Sequence, residues 1–143
     1  METTPDLRLV ALSRMNAVGE SLLRLESFLS ERQVDPEVVF SAVLVLEEVL
    51  TNIIKYSYGE ESEQEILVEV SFGARELSLR FTDQGREFDW QKAPGPDLSL
   101  PIEDRPIGGL GIHIVRNLAR RMDYQRLEGK NVLELFLPLQ PKP

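Results

Sequence analysis

Cysteine is absent from all 143 residues. That excludes disulfides, a thiolate metal site and a cysteine nucleophile, and it suits a reducing compartment. Histidine is nearly absent: His113 stands alone, with no Ser and Asp motif nearby, and is given no role. Positive charge is short, with 16 basic against 24 acidic residues and a net charge of −8. A nucleic-acid binder shows a basic footprint, and an anionic membrane attracts basic segments, so neither is an expected partner. A local site for a small anion remains compatible with the global field. No apolar run approaches the roughly 20 residues of a spanning helix. The opening METTPDLRLV has no cationic start followed by an apolar stretch, so no signal peptide is expected. These absences predict a cytoplasmic protein.

What is present is ordinary for a globular chain: 42% hydrophobic and 28% charged residues. The length fits one domain over 1–143, with a core at about 7–139 and no repeat or linker. Such a domain buries roughly 68–70% of the surface of its unfolded chain.

Leu7, Leu9 and Ala11 alternate with Arg8 and Val10, a short first strand. From Met15 to Gln33, Met15, Val18, Leu22, Leu25 and Leu29 recur at spacings of three and four, one apolar helix face. Ser13 or Asn16 is the candidate cap. Asp35-Pro36-Glu37 opens a second helix, since Asp caps, Pro suits the first helical position and Glu the first turn. That helix is expected to run to about Tyr58 and stop at Gly59. It is apolar except for an arc that holds Glu48, Thr51, Asn52 and Lys55, so it should be largely buried against a sheet. Ile66, Val68 and Val70, then Leu77, Leu79 and Phe81, form two alternating runs around Gly73-Ala74-Arg75, an antiparallel hairpin. Residues 86–107 are proline-rich and aperiodic, as in a functional loop or a disordered stretch. A third helix follows with Ile112, Val115, Leu118 and Ala119 on one face. Strands near 122–127 and 131–139 close the chain around Glu128-Gly129-Lys130. The order β-α-α-β-β-loop-α-β-β predicts an α+β fold: a two-layer α/β sandwich, its sheet mixed and mostly antiparallel, with three helices on one face.

Three constellations carry chemistry. Glu48 and Asn52 lie four apart on one helix and share a face. Their oxygens suit a hard cation, or a base beside a metal ligand; the pair equally fits a solvated face. Asp83-x-Gly85 ends a strand. Its carboxylate suits the exocyclic amine of a base, and a plain turn has the same residues. Gly108-Gly109-Leu110-Gly111 opens a helix, with Arg105 upstream. Free N–H groups at a helix start favour a phosphate, although glycines also serve as hinges. The stretch is neither a P-loop nor a Rossmann fingerprint. Trp90 reads as a packing residue.

In order and context the three resemble the GHKL (Bergerat-fold) ATPase superfamily, and within it the stand-alone anti-sigma-factor serine/threonine kinases. VLEEVLTNIIKYSY is similar to that branch's N box, FTDQGREFDW to its first glycine box and RPIGGLGIHIVRNLARRMDY to its second. The resemblance covers roughly residues 10 to 139. It implies a histidine-kinase-like ATPase domain that binds ATP and Mg²⁺ and transfers phosphate to a Ser or Thr. By that resemblance Glu48 is the general base and Asn52 the Mg²⁺ ligand. Asp83 accepts from adenine, with Gly85 allowing close packing. Gly108, Gly109, Leu110 and Gly111 wrap the phosphates, and 86–107 is the lid. The implied partners are a STAS-type anti-anti-sigma protein as substrate and a sigma factor or comparable regulator; relatives in the branch are often homodimers.

Three departures stand out. The second glycine of D-x-G-x-G is missing, with Arg86 and Glu87 in that stretch. Tyr56 stands where the N box commonly has a His. Lys130-Asn131-Val132 follows Gly129, where many relatives have a Thr that helps hold adenine. Two other functions compete with the kinase: an ATP-sensing adaptor without catalysis, and an interaction module unrelated to nucleotide.

Overall fold

The computed structural model describes residues 4–92, 99, 101 and 109–140. Gly108, Arg105 and most of the expected lid lie outside the described residues. The described elements are β1 (Leu7–Leu12), α1 (Met15–Glu31), α2 (Pro36–Asn52), a π-helical segment (Ile53–Tyr58), β2 (Glu65–Phe72), β3 (Glu76–Asp83), α3 (Gly109–Leu118), β4 (Arg121–Leu127) and β5 (Lys130–Pro138). They follow the order read from the sequence. The five strands form one sheet in the order β1-β2-β3-β5-β4. Each neighbouring pair is antiparallel, so no parallel pairing is found among the described strands.

The strands alternate as their sequences do. Leu9, Val68, Leu79 and Leu135 face inward and are fully buried. They share one core with Val45, Leu46 and Val49 of α2, the most apolar helix. The outward face carries a row of charge set by register: Arg8 opposite Glu69, Glu69 opposite Arg80, Arg80 opposite Glu134, and Glu134 opposite Asp123. Opposite charges across strands contribute roughly 0.2–1 kcal/mol per pair. Burial pushes the Glu134 carboxyl up, Arg80 opposes the rise, and Asp123 adds to it.

Local chemistry explains several element ends. Asp35 caps α2, its Oδ1 accepting from Glu37 N at 2.9 Å. Gly59 stops the helical run in the left-handed region at φ 80°. Glu128 and Gly129 both take positive φ, 49° and 78°, in the two-residue turn between β4 and β5, as tight hairpins require.

The start of α1 differs from the expectation. Neither Ser13 nor Asn16 caps it; the N-cap position is Arg14, without a side-chain cap bond. Ser13 is buried, with its backbone tied to Gln64 and Ser62. Glu61, far along the chain, accepts from Met15 N at 2.9 Å instead. Met15 itself is 44% exposed, so the buried stripe of α1 begins at Val18.

Candidate active site

The helical run from Glu48 to Tyr58 organises the site. In α2, Glu48 and Asn52 share a face as their spacing requires. Asn52 is buried, and its Nδ2 donates to Glu48 O at 2.6 Å. Thr51 Oγ1 donates to the same carbonyl at 3.1 Å. The Asn52 amide nitrogen is thereby engaged with the backbone, and its carbonyl oxygen is the atom suited to a hard cation.

The N-terminus of α3 packs on this face. A Cβ at Gly111 would overlap the Glu48 carboxylate and sit 3.7 Å from Asn52 Nδ2. Gly111 therefore brings the second glycine box against the acidic residue of the first motif. The helix start supplies free N–H groups and partial positive charge beside that carboxylate. Burial pushes the Glu48 carboxyl above its ordinary value, neighbouring Glu47 raises it further, and Lys55 lowers it. A carboxyl shifted upward is a better proton acceptor once ionised.

The other end of the site begins where α2 widens into the π-helical segment. Such turns are frequent at functional sites. This one places Ser57 against the end of β3. Ser57, Asp83 and Asn131 are all buried. Ser57 Oγ donates to Asp83 Oδ1. The same oxygen accepts from Gly85 N at 2.9 Å and Asn131 Nδ2 at 3.0 Å. Asn131 Nδ2 also donates to Arg86 O at 2.7 Å. Gly85 has a steric reason: a Cβ there would overlap the Ser57 hydroxyl and approach the Ser57 carbonyl carbon to 2.6 Å. The strand end and the π-helical segment thus meet backbone to backbone.

Around this cluster, Arg126 Nη1 donates to Gly85 O at 2.7 Å. Tyr58 Oη accepts from Gln84 N at 3.0 Å and donates to Glu65 O at 2.9 Å, which fixes the loop after Asp83. Tyr56 stacks on Phe88, with centroids 5.6 Å apart, and Phe88 meets Trp90 edge-on at 5.5 Å. Trp90 is buried, in agreement with a packing role.

Glu48, Asn52 and Gly111 come together at one end of this run, and Asp83 and Gly85 meet it at Ser57. Gly109 and Leu110 lie in the first turn of α3. Gly108 is outside the described residues. His113 pairs along its own helix with Asn117, 3.0 Å from Nε2. Sequence reasoning missed Ser57, Tyr124, Arg126 and the role of Asn131. For Asn131 a signal existed. Asp83 follows Leu77, Leu79 and Phe81 on the inward side of β3, and Asn131 precedes Leu133, Leu135 and Leu137 on that of β5. Two polar residues that extend apolar stripes, and that are cross-strand partners, mark a buried polar site.

An open antiparallel sheet under three helices, with an acid–amide helix face against a glycine-rich helix start and a buried carboxylate at a strand end, defines an ATP-binding sandwich domain. The chain belongs to the histidine kinase-like ATPase domain family, which it matches over residues 12–137. It is 30% identical over 96 residues to serine/threonine-protein kinase BtrW of Bordetella bronchiseptica, across 67% of this chain and 68% of that relative. It is also 30% identical over 96 residues to serine-protein kinase RsbW of Bacillus thuringiensis, across 63% of this chain and 58% of RsbW. The chain thus covers less than two thirds of RsbW's length. Its fold is similar to the crystal structure of the RsbU and RsbW domains of a Mycobacterium tuberculosis protein, with a TM-score of 0.66 and 17% identity over 97% of this chain and 34% of that one. Among the described residues, no helix is long and apolar enough to cross a membrane.

Proposed function

We propose that this chain is a serine/threonine protein kinase that phosphorylates a STAS-type antagonist and binds a sigma factor or a comparable regulator. The observation that carries the reading is the Glu48 carboxylate set against Gly111 at the start of α3, with Asn52 beside it. Glu48 takes the proton of the attacking Ser or Thr hydroxyl as its oxygen bonds to the γ-phosphorus and the bond to the β-phosphate oxygen breaks, releasing ADP. The first turn of α3 offers N–H groups to the phosphates. Asp83 accepts from the base.

The donor set fits a magnesium ion shared with phosphate. Asn52 offers one buried neutral oxygen, and the described residues contain no cluster of three His, Cys, Asp or Glu that would hold a metal unaided. Bound there, Mg²⁺ would neutralise phosphate charge. The family relationship to named serine kinases supports the choice of phosphate acceptor. Phosphate on the antagonist adds negative charge to its contact surface and weakens its hold on the regulator.

The test is transfer of ³²P from Mg-ATP to a STAS-domain protein encoded beside this chain. Transfer by the wild type and loss by Glu48→Ala is the expected result. ATP binding with no phosphorylated product would replace the kinase reading with that of an ATP-sensing adaptor.

A further inference from the structure

A trough that the proposed chemistry does not use crosses the end of the sheet opposite Asp83. Phe72 pairs with Leu77 near the start of β3, and Pro138 pairs with Glu76 at that start. Three hollows of about 200, 560 and 460 Å³ adjoin there around the first turn of α2. The first and second share Gln140, and the second and third share Val34 and Pro36. Glu48 stands toward the other end of α2, roughly 18 Å along the helix axis from Pro36.

The walls are apolar. Val38 and Leu137 line the first hollow, and Phe72 and Leu139 the second. Phe40 lines the third and is 71% exposed. Each hollow also has a carboxylate: Glu37 in the first, Asp35 in the second and Glu26 in the third. Asp35 is engaged as the cap of α2. Glu26 and Glu37 form no ion pair among the described residues. Arg32, the cation in the lining of the second hollow, lies over the Phe28 ring at 3.7 Å. Gln33 and Gln140 add carboxamides there, which both donate and accept and so match a peptide backbone.

Together the hollows exceed the roughly 300–1,000 Å³ of a pocket for one small molecule. Their succession suits a chain that places one side chain in each. Unpaired carboxylates beside apolar walls call for aliphatic residues interspersed with Lys or Arg, whose stems lie on apolar surface while the charge meets the acid. We propose that this trough docks an extended, basic and apolar segment of a partner protein, away from the phosphate end of α2, so that partner and nucleotide can be held together. The inference stands apart from the assignment of phosphate transfer.

The experiment is fluorescence anisotropy of the full chain with a labelled peptide of three Pro-Leu-Lys repeats, and with Pro-Leu-Glu repeats as control. Proline keeps the probe extended and removes N–H groups that pairing with a sheet edge would need. The basic peptide should bind at least about tenfold more tightly than the acidic one. Phe40→Ser should weaken its binding about tenfold, and Glu26→Gln with Glu37→Gln about fivefold. All three residues are exposed, so these variants should melt close to the wild type. Glu60→Gln with Asp123→Asn removes the same charge elsewhere and should leave binding unchanged. Equal loss in the two double variants would reveal attraction to net charge alone and overturns the inference. A basic peptide that does not bind, or that ignores Phe40→Ser, overturns it as well. The rival occupant is a second copy of the chain: a dimer in sedimentation that Phe40→Ser dissociates, without peptide binding, would give the trough to that copy. None of these outcomes bears on transfer by Glu48, which the ³²P assay tests separately.

Discussion

Glu48 has an environment that suits a base and burdens the fold. Burial is the largest cause of its raised pKa, and Glu47 adds to it. A carboxyl whose folded pKa lies above its unfolded value adds stability while protonated, and that contribution is lost as pH rises through the folded value. At about pH 7 the ionised group therefore opposes folding. Glutamine keeps the size and never ionises. Glu48→Gln should raise the melting temperature near neutral pH, with the gain disappearing below the ordinary value of 4.5. It should also reduce phosphate transfer by about 10²–10⁴-fold. Thermal melts across pH and a transfer assay check the two halves; a neutral-pH melt no higher than wild type would refute the electrostatic account. Gly85 makes the opposite case, since a methyl there meets the Ser57 backbone carbonyl as well as its hydroxyl, and the backbone cannot swing aside. Gly85→Ala should cost about 1–3 kcal/mol, measurable by urea unfolding. The need for glycine at 85 was not legible as stated. Sequence suggests room for a base, whereas the space that a side chain would take belongs to Ser57.

At the scale of elements, α2 and α3 meet at the proposed phosphate end of the site, and Gly111 sets the closeness of that contact. Alanine is the better helix former by roughly 0.5–1 kcal/mol, and the carboxylate it would displace is the far end of a flexible side chain. Gly111→Ala should therefore melt at or slightly above the wild-type temperature and still lose roughly 10²-fold in transfer, because the base moves. A variant that kept full transfer would show that Glu48 need not stand where it does. The element order was legible throughout, since alternation and helical periodicity are strong here and Asp35, Gly59 and Glu128-Gly129 mark the ends by local chemistry. The π-helical segment was not legible. It differs from an α-helix in hydrogen-bond partners, and the apolar pattern of Ile53 and Ile54 suits either. The capping of α1 by Glu61 escaped for a related reason: a partner 46 residues away leaves no local mark.

For the whole molecule, ligand binding should appear as stability. A ligand at 100 times its Kd adds about 2.7 kcal/mol to the native state. For this length that is a rise of about 5–15 °C in melting temperature. Mg-ATP should produce it in the wild type, and Asn52→Ala should diminish it; equal shifts in both would refute the proposed role of Asn52 as metal ligand. By itself the sequence determined the α+β class, the order and approximate bounds of the elements, the inward faces of the strands and the three motifs. Those depend on spacing within one segment, which a chain displays before it folds. Tertiary structure alone decided the strand order β1-β2-β3-β5-β4, the meeting of Gly111 with Glu48, and the closure of Ser57, Asp83 and Asn131 into one buried network. Ser57 and Asn131 are 74 residues apart. No local periodicity encodes their contact; it arises when the inward faces of β3 and β5 pair in register and the π-helical segment after α2 is buried over them.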